Sequence, residues 1–361
     1  MLPGRGSASI TGSFGLSGAT PFALHLNVYV AWITPLDRFG PALPAAGVRR
    51  RWHSGRMVSE SPDSPVARAQ TFLLTHARPL ERRLAEVVLT DEARADAALA
   101  VLDILRGHRN ADGGLGHALE PDARTPTSQP LAVDFALDVV VQVLDSPTGR
   151  LDEVRAACRS FADSLVHYLT SVTGEEGGVP IVLPSVAEHP RAAHWGDGRF
   201  APGLNPTANL VTRLRRAGVS AGWLTAADAF CRDRIESLPA LDGHSALNVL
   251  TYLAGAPDRA WARRHTEAVA RQWERMPYFA LYPSREYGVT PLEIAPRPDD
   301  PARALFPAAA VEAHLDALVA AQQPDGGWPL AWEPPGPAAE LEWRGVLALR
   351  NAAVLAANGR T

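Results

Sequence analysis

Apolar residues recur at three- and four-residue intervals through most of the chain from Ser64 onward, separated by segments rich in Gly, Pro and Asp. This spacing is typical of amphipathic helices, and no segment shows the two-residue alternation of a half-buried strand. The pattern therefore predicts an all-α fold. The predicted helices are 64–76, 79–90, 92–107, 129–145, 151–171, 206–217, 223–237, 244–254, 258–275, 308–322 and 340–357.

Residues 1–60 lack a sustained helical period and are rich in Gly, Ser and Pro. We expect them to form a poorly ordered N-terminal extension, and residues 61–361 to form the helical domain. The apolar stretch 22–33 is shorter than the roughly 20 residues of a membrane-spanning helix and fits a signal peptide poorly. The composition changes at Met57, which suggests the hypothesis that the part before it is a non-native translated extension.

A repeated segment gives the strongest indication of the architecture. Leu102–Leu115 and Leu315–Trp328, which start 213 residues apart, correspond position for position, and each contains a helix end followed by Asp-Gly-Gly. A degenerate third copy contains Gly177, and weaker hairpins occur around residues 239–244 and 276–290. Tandem helical hairpins bury their apolar faces only by stacking on their neighbours. About six irregular, long-looped hairpins favour a closed (α/α)6 toroid over an open solenoid.

The second copy, Gln322–Trp328, has the sequence Gln-Gln-Pro-Asp-Gly-Gly-Trp and resembles the QW motif of the squalene–hopene cyclase and prenyltransferase (terpene cyclase) superfamily. The first copy keeps only Asp-Gly-Gly, with Arg109 and Leu115 at its ends. The resemblance covers residues 64–357 as helical hairpins, and it implies a toroid and an isoprenoid substrate. In that superfamily the QW turn stabilises the fold. We predict the same role here, with glycine for a positive-φ turn, Asp for the turn N–H groups and Gln for a neighbouring chain segment.

The catalytic motifs of that superfamily are missing from the sequence. It contains no Asp-x-Asp-Asp proton-donor motif and no Asp-Asp-x-x-Asp magnesium motif, and Asp228 and Cys231 have the wrong spacing for the zinc site of protein prenyltransferases. We therefore predict no metal ligands and no certain cofactor, and only magnesium stays open. His189, His194 and Asp197 are suitable ligand types for a divalent cation, but we interpret them as ordinary loop residues.

The densest polar segment lies between the first repeat and the next predicted helix. Its His117, Glu120, Asp122 and Arg124 offer a general acid, a base and an anion-binding group within a few residues. We predict that the first three are catalytic and that Arg124 binds substrate. If Glu120 is buried among apolar groups, its pKa rises and it becomes a proton donor at neutral pH. Alternatively, these carboxylates cap helices or pair with Arg124 and only fix the loop.

Glu342, near the start of the last predicted helix, is the fourth predicted catalytic residue, because it can face Glu120 or Asp122 across the opening of a toroid. Aromatic side chains in or near loops are predicted to contact substrate, since their faces attract a carbocation or stack on a sugar ring. These residues are Trp195, Tyr282, Trp328, Trp332 and Trp343.

Composition narrows the function classes further. All 35 basic residues are arginine, which excludes Schiff-base chemistry and other uses of a lysine amine. Cys158 and Cys231 are far apart, so we predict neither a disulfide framework nor a thiolate cluster, and we expect a reducing, cytoplasmic compartment. Residues 1–56 carry six arginines and one aspartate (+5), so the remainder of this −4 chain carries −9. An acidic body does not predict nucleic-acid binding.

Three functions stay open at this point. The resemblance favours a prenyltransferase or terpene cyclase-like protein that binds a hydrophobic small molecule and uses a loop carboxylate as proton donor. The second is a carbohydrate-active α/α toroid, a glycoside hydrolase or lyase, with Glu342 opposite Glu120 or Asp122. The third is a non-catalytic helical-repeat scaffold, because a fold does not by itself imply chemistry. We rank them in this order.

Overall fold

The computed structural model describes residues 63–237 and 240–361, which form α-helices joined by turns, short 3-10 segments and long loops. This part of the chain contains isolated β-bridges but no β-strand, so the predicted all-α fold is confirmed there. The prediction for residues 1–60 lies outside the described residues. The helices are α1 (Pro65–His76), α2 (Pro79–Val88), α3 (Ala95–Arg106), α4 (Pro130–Asp145), α5 (Asp152–Asp163), α6 (Val166–Val172), α7 (Leu204–Arg216), α8 (Gly222–Glu236), α9 (Gly243–Gly255), α10 (Arg259–Ala270), α11 (Pro291–Ile294), α12 (Ala308–Ala321) and α13 (Pro337–Ala357).

Three elements differ from the sequence prediction. The predicted helix 258–275 ends at Ala270, and a separate 3-10 turn covers Trp273–Arg275. The predicted helix 151–171 is divided into α5 and α6, because the chain leaves the α-helical hydrogen-bond pattern at Ser164 and Leu165. The short helix α11 was not predicted. It has only four residues and follows Thr290, whose backbone N–H donates to Glu293 Oε2 at 2.8 Å. Such a helix is too short to show an apolar period.

The apolar faces of the helices form one continuous core. Fourteen of the 16 residues of α4 are buried, because α2, α3, α5 and α7 all pack against it. A helix that is apolar on almost every side is stable only when it is surrounded by protein. The polar segment that contains Glu120 and Asp122 therefore leads directly into a helix that is surrounded by protein.

The helices pack in a regular succession. Helix α2 packs against α4, α4 against α7, α7 against α9, and α9 against α11. Helix α12 contacts both α11 and α13, and α13 packs against α2. Helices α3, α5, α8 and α10 flank this series. The first described helix, α1, packs along the last, α13, so the two ends of the described chain meet.

Three turns share one hydrogen-bond pattern and show that the sequence repeat has three structural copies. In each turn the N–H of the first residue donates to the carbonyl of the fifth, and the N–H of the fourth residue donates to the carbonyl of the first. The turns are Asn110–Gly114, Gly174–Gly178 and Gln323–Gly327, with N···O distances of 3.0, 2.9 and 2.8 Å between their end residues. The degenerate third copy is thus confirmed.

Each of these turns also bonds its hairpin to another helix. The residue just before the turn forms a hydrogen bond in every copy. These bonds join Arg109 to Ser164 at the end of α5, Trp223 in α8 to Thr173, and Gln322 to the carbonyl of Pro65 in α1. The turn after α12 therefore holds the last hairpin to the first helix.

The best QW copy contains the contacts predicted from its residue types. Asp325 Oδ1 accepts the N–H of Gly327 at 3.0 Å, and the Gln322 amide donates to Pro65 O at 2.8 Å. Gly326 has φ +91°, and a Cβ there would lie 2.2 Å from the Arg68 carbonyl oxygen. Only glycine fits this close approach. The turn is thus a structural fastening between α12 and α1.

Candidate active site

The loop between α3 and α4 carries the predicted acids, and its backbone is strained. His117 and Ala118 both have φ +54°, a conformation that is costly for residues with a Cβ. Hydrogen bonds hold the loop in this shape, from Ala118 N–H to Thr125 O (3.3 Å) and from Leu119 N–H to Gly116 O (3.1 Å). Strain of this kind is common at functional sites and marks the loop as a candidate.

A second loop, residues 173–203, lies alongside the acidic loop. The Arg124 N–H donates to Pro190 O at 3.0 Å, and the Ala192 N–H donates to Asp122 O at 2.9 Å. Gln129, which precedes α4, accepts the Leu183 N–H at 2.7 Å through its side-chain oxygen. Hydrogen bonds to the second loop therefore hold the main chain at Asp122 and Arg124 and the residue that precedes α4.

Glu120 and Asp122 are buried, with 2% and 1% of their surface exposed. Burial, followed by the charge of Asp122, raises the pKa of Glu120 well above its ordinary value. Burial also raises the pKa of Asp122, to about 7. Glu120 Oε2 and Asp122 Oδ1 have no hydrogen-bond partner within the chain. Near neutral pH the pair therefore holds protons that an ordinary carboxylate would have lost.

Two indoles border Asp122. The Trp332 Nε1–H donates to Asp122 Oδ2 at 3.1 Å, and the Trp332 ring packs edge-on against Trp343 with centroids 5.3 Å apart. The Trp343 N–H also lowers the pKa of Asp122, although it lies outside normal hydrogen-bond geometry. Because indole N–H groups stabilise only the ionised form, they partly oppose the effect of burial on Asp122.

A histidine and a tyrosine next to these indoles were not predicted as site residues. Tyr287 packs edge-on against Trp332, with centroids 6.0 Å apart. Its hydroxyl lies 2.9 Å from His244 Nε2, and Asp242 Oδ1 lies 3.8 Å from His244 Nδ1. Burial raises the pKa of Tyr287, so its phenol stays protonated. The sequence showed His244 only as a residue at a helix start, and its neighbour Tyr287 is 43 positions away.

Two arginines engage Glu342. The Arg124 guanidinium bonds directly to Glu342 Oε2, and Arg78 Nη1 lies 3.9 Å from the same oxygen. Arg78 also binds Glu81 at 2.6 Å and donates to Leu119 O, next to Glu120, at 2.8 Å. Glu342 thus lies near the acidic loop, but as the partner of two cations. Arg124 therefore pairs with Glu342. It does not pair with Glu120 or Asp122, as one alternative from the sequence had proposed.

The remaining predicted residues are engaged elsewhere. His117 is exposed, and its Nε2 lies 2.9 Å from Asn110 Oδ1. Trp328 donates to Leu318 O at 2.8 Å within its own hairpin. Trp195 is fully buried and packs edge-on against Phe200, with centroids 6.0 Å apart. Tyr282 is 50% exposed. Of the ten predicted residues, the structure gathers Glu120, Asp122, Trp332 and Trp343, with Arg124 and Glu342 beside them.

Within 63–237 and 240–361, no three His, Cys, Asp or Glu side chains are grouped so as to hold a metal ion. His189, His194 and Asp197 are among the side chains that form no such group. In the same part of the chain, no helix combines the length and the apolar character needed to cross a membrane.

Comparison with known proteins gives no assignment, since neither a protein-family model nor a curated protein matches the chain.

Proposed function

We propose that the helical hairpins close into the (α/α)6 toroid that the QW-type turns imply. The hairpins would be α1–α2, α3–α4, α5/α6–α7, α8–α9, α10–α11 and α12–α13. The packing succession from α2 through α11 and α13 back to α2 supports this arrangement. The bond from Gln322 to α1 supports closure of the outer helices. The acidic loop and the loop that carries Trp332 would then meet at one mouth of the ring.

At this mouth, Asp122 acts as the proton donor of a prenyltransferase or terpene cyclase-like protein. The observation that carries the proposal is a buried carboxyl with a pKa of about 7, one unpaired oxygen and two indoles beside it. A general acid works best when its pKa is close to the working pH. Aromatic faces attract the positive charge that forms when an alkene is protonated.

The proposed step transfers a proton from the Asp122 carboxyl to an alkene of the substrate. The O–H bond of the Asp122 carboxyl breaks and a C–H bond forms at one alkene carbon, using the π electrons. A carbocation is left on the other carbon, and Asp122 becomes a carboxylate, to which Trp332 donates a hydrogen bond. Burial raises the pKa of Glu120 and so favours its neutral form, which reduces the repulsion against the new charge. Exclusion of water protects the cation from premature capture.

The two alternative functions have weaker support. A glycosidase needs two carboxyl groups on either side of the scissile bond, but Glu342 is paired with Arg124 and lies 3.9 Å from Arg78. A passive scaffold gains nothing from two buried acids with unpaired oxygens, because such groups cost stability. We therefore rank isoprenoid protonation first.

The test combines a substrate panel with a matched pair of variants. The protein is incubated with squalene, prenyl diphosphates and terpenoid alcohols, with and without magnesium, and products are identified by gas chromatography and mass spectrometry. We expect Asp122→Asn to lose roughly 10²–10⁴-fold in turnover, and the exposed control Asp197→Asn to keep it. Absence of product across the panel, or full activity of Asp122→Asn, would overturn the proposal.

A further inference from the structure

A second buried polar cluster lies between α4 and α7, apart from the acidic loop. Arg213 in α7 donates to Asp138 Oδ1 at 2.8 Å and to the Asp134 carbonyl at 3.0 Å, and it also bonds the Asp134 carboxylate. All three residues are buried. Two carboxyl groups thus share one guanidinium, and burial raises the pKa of both, that of Asp138 to about 6.

Polar atoms next to this cluster have no partner in the chain. Asn209, one helical turn before Arg213, has no exposed surface, and neither its amide nitrogen nor its amide oxygen makes a hydrogen bond. Asp134 Oδ2 is also buried without a partner. The Asn209 amide lies near enough to Asp134 to lower the pKa of that carboxyl. Buried polar groups in folded proteins almost always bind something, so these atoms indicate a bound polar group from outside the chain.

The cluster lies deeper in the proposed ring than the acids. Helices α4 and α7 start on the same side, because Ile181 O accepts the Leu131 N–H at 3.0 Å and Thr207 Oγ1 accepts the Val179 N–H at 2.9 Å. Asp134 is the fifth residue of α4, and Asn209 lies three residues after Pro206, where the regular part of α7 begins. At 1.5 Å per residue, both lie roughly 5–6 Å along their helices. Glu120 and Asp122 come before the start of α4.

The unpaired atoms define the chemistry of the group that would bind. Asn209 Oδ1 and Asp134 Oδ2 need donors, and Asn209 Nδ2 lies near the Asp134 carboxyl without forming a well-aligned bond to it. A hydroxyl both donates and accepts, so it meets these needs, and a hydrocarbon meets none of them. An ionised diphosphate offers only acceptors, so it cannot supply the donors that Asn209 Oδ1 and Asp134 Oδ2 need.

We infer that Asn209 and Asp134 bind a hydroxyl group of the substrate, which is therefore a prenyl or terpenoid alcohol with an alkene placed at Asp122. This inference rests on the proposed function and names its substrate class. It divides the substrate between two places, with the hydroxyl between α4 and α7 and the reacting double bond under the indoles at the mouth.

The test measures binding of three fifteen-carbon probes, farnesol, β-farnesene and farnesyl diphosphate, to the Asp122→Asn protein, which prevents turnover. We expect farnesol to bind at least about tenfold more tightly than the other two. Adding Asn209→Leu should weaken farnesol binding by about 10–100-fold, the effect of one buried hydrogen-bonding group, and leave β-farnesene binding unchanged. Asn351→Leu, which removes a buried amide on α13, is the matched control and should change neither.

Equal binding of farnesol and β-farnesene, or binding of none of the probes, would overturn the inference without any need for the Asn209 variant. So would an Asn209→Leu protein that melts near the parent temperature and still binds farnesol equally well. The two proposals fail differently. Turnover that does not depend on Asp122 overturns the proposed function, whereas turnover that depends on Asp122, together with equal binding of alcohol and hydrocarbon, overturns only this inference.

Discussion

Replacing Trp332 with phenylalanine should raise the pKa of Asp122. The indole N–H donates to Asp122 Oδ2 at 3.1 Å, and this bond stabilises only the ionised carboxylate. Phenylalanine keeps an aromatic ring against Trp343 and Tyr287 but has no donor. A hydrogen bond to a charged group contributes roughly 1.5–3 kcal/mol, and one pKa unit corresponds to 1.36 kcal/mol. Because Trp332 is only half-buried, water can replace part of the bond, and we expect a rise of about one unit.

The direct assay is a carbon NMR titration of aspartate-labelled protein, in which Asp122→Asn identifies the Asp122 signal. The midpoint near pH 7 in the parent protein should move up in Trp332→Phe. Trp328→Phe is the control, since that indole donates to Leu318 O instead. If activity is found, its loss at high pH should move in the same direction, because a general acid must hold its proton. An unchanged or lower pKa in Trp332→Phe, or an equal rise in the control, would refute the reasoning.

Three further predictions concern stability. The pKa of Asp122 is about 7 in the folded protein, against an ordinary value of 3.8. Folding therefore takes up a proton between these pH values, and the stability of the parent protein falls as pH rises through them. Asp122→Asn should gain up to about 4 kcal/mol in free energy of unfolding over the parent between pH 4 and 7, measured by urea unfolding. No such gain would show that Asp122 titrates normally. Gly326→Ala should lose roughly 2 kcal/mol more than Gly336→Ala, because both positions have positive φ but only Gly326 meets a backbone atom, 2.2 Å away; equal melting temperatures would contradict this. Arg213→Leu should lower the free energy of unfolding by about 3–5 kcal/mol at pH 7. The loss should be smaller at pH 5, because Asp138, whose pKa is about 6, takes up a proton there. A loss independent of pH, or one no larger than that of the control Arg216→Leu at a more exposed arginine, would argue against a buried ion cluster.

Much of the local structure followed from the sequence. The three- and four-residue apolar spacing predicted the long helices, because burying one face of a helix requires that period. The Asp-Gly-Gly turns were visible because a positive-φ turn needs particular residue types. The acids were found for a related reason, since Glu120 and Asp122 stand two residues apart in one polar loop. Features that depend on a few consecutive residues can be recognised in the sequence.

Contacts between residues that are distant in the chain could not be recognised in this way. The pairs Asp122–Trp332, His244–Tyr287 and Arg124–Glu342 are separated by 210, 43 and 218 positions. Each pair depends on which loop ends come together after the helices have packed. The sequence placed His117 with the acids because they are close in the chain, but the left-handed turn at 117–118 separates the exposed histidine from the buried carboxyls.

The sequence alone determined that residues 63–237 and 240–361 form α-helices with a recurring glycine turn, because periodicity and turn chemistry are local properties of the residues. Only the tertiary structure decided which carboxylates keep a proton. The pKa of Asp122 depends on burial and on indoles from a loop some 210 residues later, whereas Glu342 is paired with Arg124. Desolvation and charge pairing are set by what surrounds a group in space, and that environment exists only after the distant helices have packed.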